Sequence, residues 1–284
     1  MSDHVARFDR ASHVPKPPDG AAPLWDAGMF GLDRVTAFSN APIEMQRTVL
    51  DECARNVLVE AWSVERTGVR YCAAMAGWSE SAHERTLFKR IGDDEVQHAA
   101  WLSTWLPDPP QTDPFNRFIG GLLEAGTMQP LAFLLQVVLE GFGITHYGSL
   151  ASGCRDASLT ATLRRLAIDE ALHYGGALLV FTPEKLNTAE RRFIADGSYA
   201  FLQMFRVGPQ AVAAALARIA DSGSRHDLVR LFEQLECQSS SAVKLARLCT
   251  LMARPGMEWL IEQLDDAGAF MPCTPKQCAQ QLSN

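Results

Sequence analysis

The sequence predicts an all-α protein, on three observations. Apolar residues recur at helical spacing through long stretches, helix start and stop signals bracket those stretches, and no strand signal of any strength interrupts them. The composition is that of an ordinary globular chain, 47% hydrophobic and 21% charged, with a net charge of −7 over 284 residues. That length is ample for a large core. The acidity is spread along the chain rather than blocked, which argues against an extended nucleic-acid surface, because phosphate binding needs clustered Lys and Arg. Seven cysteines with no C-x-x-C argue against a structural zinc site or a disulfide framework and fit a reducing cytoplasm. The first ten residues, MSDHVARFDR, lack the apolar run of a leader. No apolar run reaches spanning length without a charge or a cluster of glycines, so neither a membrane nor a nucleic acid is expected as a partner.

In chain order, residues 1–38 are rich in Pro, Gly and Asp and read as an irregular arm. Asn40 and Pro42 then signal a helix start. The apolar period runs on through Leu50, Val57, Val64 and Tyr71 to a stop near Gly77, with Glu60 on the same face as Val57 and Val64. Ser81-x-x-Glu84 is a capping signal for a second helix that ends before Pro107. A proline-rich stretch up to Pro130 is long enough to cross from one end of a bundle to the other, and a third helix follows over about 131–151. Asp156 caps a fourth, which runs to about Phe181. The pattern is hairpin, long crossover, hairpin over 39–182. Further helices are expected over 188–205, 209–220, 224–254 and 257–264, within a C-terminal extension spanning 183–284.

The two hairpins carry the same polar residues. Each has a lone glutamate on an apolar helix, Glu60 and Glu140, followed roughly 30–35 residues later by Asp-Glu-x-x-His: Asp94, Glu95 and His98, then Asp169, Glu170 and His173. Glu and His three apart on a helix leave the same face about one turn apart. A carboxylate and an imidazole buried on an apolar face need compensation, since an unpaired buried charge costs several kcal/mol. Four Glu and two His from four helices match the ligand set of a dinuclear carboxylate bundle. Two divalent ions would neutralise the four carboxylates. A third Glu-x-x-His, Glu80 with His83, lacks both the preceding Asp and a lone glutamate at hairpin spacing, and reads as a surface coincidence.

On Glu60, Glu95, His98, Glu140, Glu170 and His173, the stretch from Glu60 to His173 resembles the ferritin-like di-iron carboxylate proteins. The resemblance implies a four-helix bundle with one long crossover. It implies that Glu60, Glu95 and His98 chiefly serve one metal and Glu140, Glu170 and His173 the other, with Glu95 and Glu170 bridging. It also implies two iron ions, or a manganese–iron pair. Asp94 and Asp169 suit the role of orienting the histidines across the bundle, Asp169 on His98 and Asp94 on His173; two exposed aspartates are the alternative.

The branch of that family which fits best is an oxygenase or oxidase. Such an enzyme activates dioxygen to hydroxylate, desaturate or N-oxygenate a small organic substrate. No electron-transfer motif occurs in the chain, so an external reductase or ferredoxin is expected, and a homodimer is compatible with it. The alternatives are a ferroxidase or peroxidase of the bacterioferritin or rubrerythrin type, and a non-catalytic metal-binding scaffold. Storage-cage subunits are usually far shorter, and the paired C-x-x-C iron module usual in rubrerythrins is absent. Two subfamily marks are missing as well. The positions three and four after Glu140 are Gly143 and Ile144 rather than Thr, and Leu166 stands where arylamine N-oxygenases place an extra His. Gly143 and Gly176, each three positions past a ligand candidate, either leave space beside the metals or admit a close helix. Phe133, Gln136, Val137 and Tyr147 are the candidates for lining a pocket. A core tyrosine with a satisfied hydroxyl is the alternative for Tyr147.

Overall fold

In the computed structural model, which describes residues 22–106, 114–217 and 225–282, every regular element among the described residues is helical. Residues 1–21 of the expected arm, the first seven residues of the proline-rich stretch after Leu106, the end of the 209–220 helix and the first residue of the expected 224–254 helix lie outside the described residues.

Helix α1 (Ile43–Trp78) begins directly after Pro42, whose fixed φ suits a helix start. Helix α2 (Ala82–Leu102) begins where Ser81 Oγ accepts the Glu84 backbone N–H at 3.0 Å. Between them lie three residues, so α1 and α2 form an antiparallel hairpin. Helix α3 (Pro114–Ala125) lies in the crossover, where Asn116 Nδ2 donates to Thr67 Oγ1 on α1 at 2.8 Å. Helix α4 (Met128–Gly153) and helix α5 (Ala157–Val180) form the second hairpin, and Asp156 caps α5 through the Leu159 N–H at 2.6 Å. Helices α1, α2, α4 and α5 pack as a bundle. Its main apolar core joins Tyr71, Met75, Phe88, Ile91, Phe133 and Val137, all buried.

Helix α4 departs from regular winding. Ala132–Glu140 is π-helical, nine residues long, between α-helical turns on either side. A π segment within an α-helix is rare, and where it occurs it often marks a functional site. The same helix is long and apolar enough to cross a bilayer, with mean hydropathy 1.3, but 56% of its apolar window is buried within the protein. Here it behaves as the core helix of the bundle.

Beyond Val180 the chain continues as α6 (Thr188–Arg206), α7 (Gln210–Ala217), α8 (Arg225–Gln234), α9 (Cys237–Met252), α10 (Glu258–Asp266) and α11 (Pro275–Leu282). The single helix expected over 224–254 is two. Glu236 adopts the left-handed region at φ 49° and breaks the path, so that Leu235 and Cys237 can both turn into a core. Arg34 holds that corner through a 2.9 Å ion pair to Glu236. The described part of the N-terminal arm is packed down: Trp25 is fully buried and donates from Nε1 to the Leu150 carbonyl at 2.8 Å, while Leu32, Val35 and Phe38 join the core of α7, α8 and α11. All seven cysteines are unpaired thiols.

Candidate metal centre

The bundle buries a polar cluster between its two hairpins. Two groups of three side chains each bring one donor atom within 4.8 Å of the others: Glu65, His98 and Glu170, and Glu95, Glu140 and His173. Glu65, Glu95, Glu170 and both histidines are under 5% exposed and Glu140 is 9% exposed, in a core that is mostly apolar.

Five of the six residues named from the sequence therefore stand together: Glu95, His98, Glu140, Glu170 and His173. Glu60 does not. It is exposed, and the carboxylate that α1 contributes to the cluster is Glu65, five residues further on. Five residues on an α-helix is a rotation of about 140°, enough to exchange an outward side chain for an inward one. The division between groups also differs from the expected one, because Glu170 sits with His98 and Glu95 with His173. Both nevertheless lie between the groups. Glu95 Oε1 is 3.1 Å from His173 Nδ1 and its Oε2 is 3.9 Å from His98 Nδ1; Glu170 Oε2 is 3.9 Å from His173 Nδ1.

Each histidine turns Nδ1 to the cluster and Nε2 to an aspartate of the opposite hairpin. His98 Nε2 is 3.2 Å from Asp169 Oδ2, and His173 Nε2 is 3.5 Å from Asp94 Oδ2. Arg165 Nε donates to the same Asp169 oxygen at 2.7 Å, fixing the carboxylate that fixes the ring. A carboxylate on the far nitrogen of an imidazole sets its tautomer and raises its basicity as a ligand. On the inner side, Tyr147 donates its hydroxyl to Glu65 Oε1. Gln136 ties α1 to α5, accepting from the Tyr71 hydroxyl and donating to the His173 carbonyl, both at 2.8 Å.

The residues present fit metal ions. Glu95 Oε1, Glu140 Oε2 and both ring nitrogens of His173 are buried without a hydrogen-bond partner among the described residues. His173 Nδ1 is close to both carboxylates, at 3.1 and 3.5 Å, yet neither contact is aligned as a hydrogen bond. Buried polar atoms that crowd together without bonding to one another are expensive unless a third party satisfies them. Buried carboxylate oxygens and imidazole nitrogens can hold a metal ion.

Electrostatics among these side chains points the same way. Burial pushes Glu95 well above the ordinary carboxylate range, and the neighbouring charges of Glu65 and Glu140 push it further. Burial also opposes the charge on Glu65, but the hydrogen bond and charge of His98 outweigh it and hold Glu65 low. For His98, burial disfavours the imidazolium, yet hydrogen bonds to Asp169 and Glu65 raise it to about 9. His173 is raised too: burial opposes its charge, but the adjacent carboxylates of Asp94, Glu140 and Glu95 outweigh it. Without cations the cluster retains protons to limit its negative charge. Binding cations would expel them.

Glycine supplies the room. A Cβ on Gly68 would sit 2.8 Å from the Glu95 carboxyl carbon, so this carboxylate occupies the space a side chain would fill. A Cβ on Gly143 would lie at ordinary contact, 3.5 Å, from Glu170. Both glycines stand three positions after the first clustered glutamate of their hairpin, Glu65 and Glu140. Thirty residues separate Glu65 from Glu95, and thirty separate Glu140 from Glu170. The hairpins thus repeat Glu-x-x-Gly followed by Asp-Glu-x-x-His at equal spacing.

A cleft opens beside the cluster, enclosing about 40 Å³, with Glu140 and Glu170 among its lining and Glu60, exposed, also on its border. Of the residues named from the sequence as pocket candidates, Gly143 and Tyr147 line it. Phe133 and Val137 belong to the apolar core, Gln136 to the Tyr71–His173 link, and Gly176 packs against Leu87 and Gln136. Glu80 and His83 are exposed at the start of α2 and take no part in the cluster. Sequence reasoning passed over Glu65, Gly68, His146 and the π-helical turn. Comparison with family models, with curated proteins and with solved structures finds no match in any of the three.

Proposed function

We propose that the chain is a ferritin-like dinuclear metalloenzyme of the oxygenase or oxidase type, acting with dioxygen on a small organic substrate. One observation carries the reading: the cleft reaches one carboxylate from each group of donors, Glu170 from the first and Glu140 from the second. A molecule in the cleft would therefore stand beside both metals at once. The hairpin–crossover–hairpin order and the repeated Glu and Asp-Glu-x-x-His support the ferritin-like assignment.

In this reading Glu65, His98 and Glu170 hold one ion and Glu95, Glu140 and His173 the other, with Glu95 and Glu170 placed to be shared. Oxygen and imidazole donors suit iron or a manganese–iron pair, which when bound would supply the reduction of dioxygen. The protein's own part is to hold and orient. Asp169, clamped by Arg165, and Asp94 keep the histidine Nδ1 atoms turned inward. Tyr147 bonds one oxygen of Glu65, which lowers its freedom to rotate. The apolar walls around the cluster limit water, so charges within it interact strongly. Electrons would come from an external reductase or ferredoxin.

Metal analysis followed by dioxygen uptake of the chemically reduced protein tests the proposal. About two iron, or one manganese and one iron, per chain with stoichiometric dioxygen consumption is expected. Zinc alone, or metal with no dioxygen reactivity, would overturn it. Sustained turnover of ferrous ion or peroxide with no organic substrate would favour a ferroxidase or peroxidase instead.

A further inference from the structure

We infer that the cleft beside Glu140 and Glu170 is a binding subsite for an uncharged, mostly apolar molecule carrying one hydrogen-bonding group, which His146 meets. The inference rests on the dinuclear reading for what lies behind the two carboxylates, and names the kind of substrate that reading leaves open.

The walls are apolar and come from four parts of the chain: Ala61 and Val64 on α1, Phe115 on the crossover helix, Leu139 and Phe142 on α4, and Phe205 on α6. The rings of Phe142 and Phe205 meet edge to face at 5.0 Å, Phe205 meets Phe201 at 5.0 Å, and Phe201 meets Phe115 at 6.1 Å. Helix α6, outside the four-helix bundle, thus supplies part of one wall. Val64, Phe115, Leu139, Phe142 and Phe205 are half-buried rather than sealed in, so a bound molecule can lie along them with one edge in solvent. The enclosed part, about 40 Å³, has room for a few waters or the small polar end of a ligand.

His146 lines the cleft, belongs to neither donor group and makes no hydrogen bond among the described residues. Its ring stacks on Phe142, with centroids 5.9 Å apart and planes 19° apart. Burial, aided by the charge of Lys244, depresses it to about 4, so it is a neutral imidazole offering one N–H and one lone pair. Charge on the ligand is disfavoured in both directions. An ion of either sign would lose its water against these apolar walls; Glu140 and Glu170, spent on the metals in the dinuclear reading, offer a cation no free charge, and Glu60, the remaining carboxylate, is exposed to solvent and repels an anion.

The test is isothermal titration of the metal-loaded protein, under argon, with benzyl alcohol, benzylamine and benzoate, which share a ring and differ in the charge of the head. Benzyl alcohol should bind saturably and at least about tenfold more tightly than either charged analogue. His146→Phe, which keeps the stack and removes the ring nitrogens, should weaken benzyl alcohol about tenfold, the worth of one buried hydrogen bond. Its metal content should be that of the wild type. Phe205→Trp, a change in a half-buried wall, should reduce binding independently by narrowing the cleft. Equal or tighter binding of benzoate or benzylamine would overturn the inference. So would absence of saturable benzyl alcohol binding, an unchanged affinity in His146→Phe, or loss of metal in that variant. Dioxygen uptake is measured separately: binding by a protein inert to dioxygen would leave the subsite standing and remove only the oxygenase reading.

Discussion

Glu65 and His98 face each other across the first hairpin, with the carboxylate Oε2 2.9 Å from the imidazole Nδ1, and it is this contact that brings α1 into the cluster. Glu60, on the same helix, is exposed at the border of the cleft. Glu65→Ala should therefore lose at least half of the bound metal, read by elemental analysis after gel filtration. Glu60→Ala should retain it. Retention of full metal by Glu65→Ala, or loss in Glu60→Ala, would return the assignment to Glu60.

Asp169 reaches His98 and is itself gripped by Arg165. Asp169→Asn keeps the shape and removes the charge that holds the ring. Metal affinity should fall about 10- to 100-fold, the usual cost of removing a partner of a ligating histidine. Competition with a chelator of known affinity measures it. An affinity within about twofold of wild type would show that His98 is oriented by its packing alone.

Gly68 and Gly175 predict opposite results for the same substitution. A Cβ at Gly68 meets the Glu95 carboxylate at 2.8 Å, whereas one at Gly175 meets nothing within 4 Å among the described residues. Gly175→Ala should stabilise the protein by up to about 1 kcal/mol, through helix propensity. Gly68→Ala should displace Glu95 and lower metal occupancy despite the same gain in propensity. Thermal melts with metal analysis on both variants separate the two effects.

The metal-stripped protein should lose stability as pH rises above neutrality. His98 is raised to about 9 in the fold, against about 6.5 for an unfolded histidine, so folding favours its protonated form. Its contribution is complete below about pH 6.5 and is lost progressively up to about pH 9. His173, raised as well, adds in the same direction. A fall in Tm of roughly 5–10 °C over that interval is expected. The metal-loaded protein should not show it, because a ligating imidazole has already given up that proton. Equal pH profiles with and without metal would mean that His98 does not ligate.

The helices, the two hairpins and five of the six clustered donors were legible because each leaves a local mark: apolar period, capping residue, or Asp-Glu-x-x-His. Glu65 leaves no such mark, since Glu60 fits the apolar face of α1 equally well on periodicity. The signal that separates them is non-local. In an antiparallel hairpin, residues level with each other are equally far from the turn, and Glu140 and Glu170 stand fifteen residues either side of Arg155. Applied to the first hairpin, whose turn centres on Glu80, the same rule pairs Glu95 with Glu65. His146 was not legible because its place in the cleft depends on Phe115 and Phe205, which arrive from the crossover and from α6. The break at Glu236 was hidden for a related reason: it is a non-glycine residue in a conformation that sequence signals reserve for glycine.

The widened turns over Ala132–Glu140 make the position of Glu140 a matter of counting as much as of chemistry. Each such turn takes up more residues than an ordinary one, so the stretch holds a surplus that an α-helix of equal length would have no place for. Were the same residues wound as an ordinary α-helix, Glu140 would be carried around the axis away from His173, with every donor still in the chain.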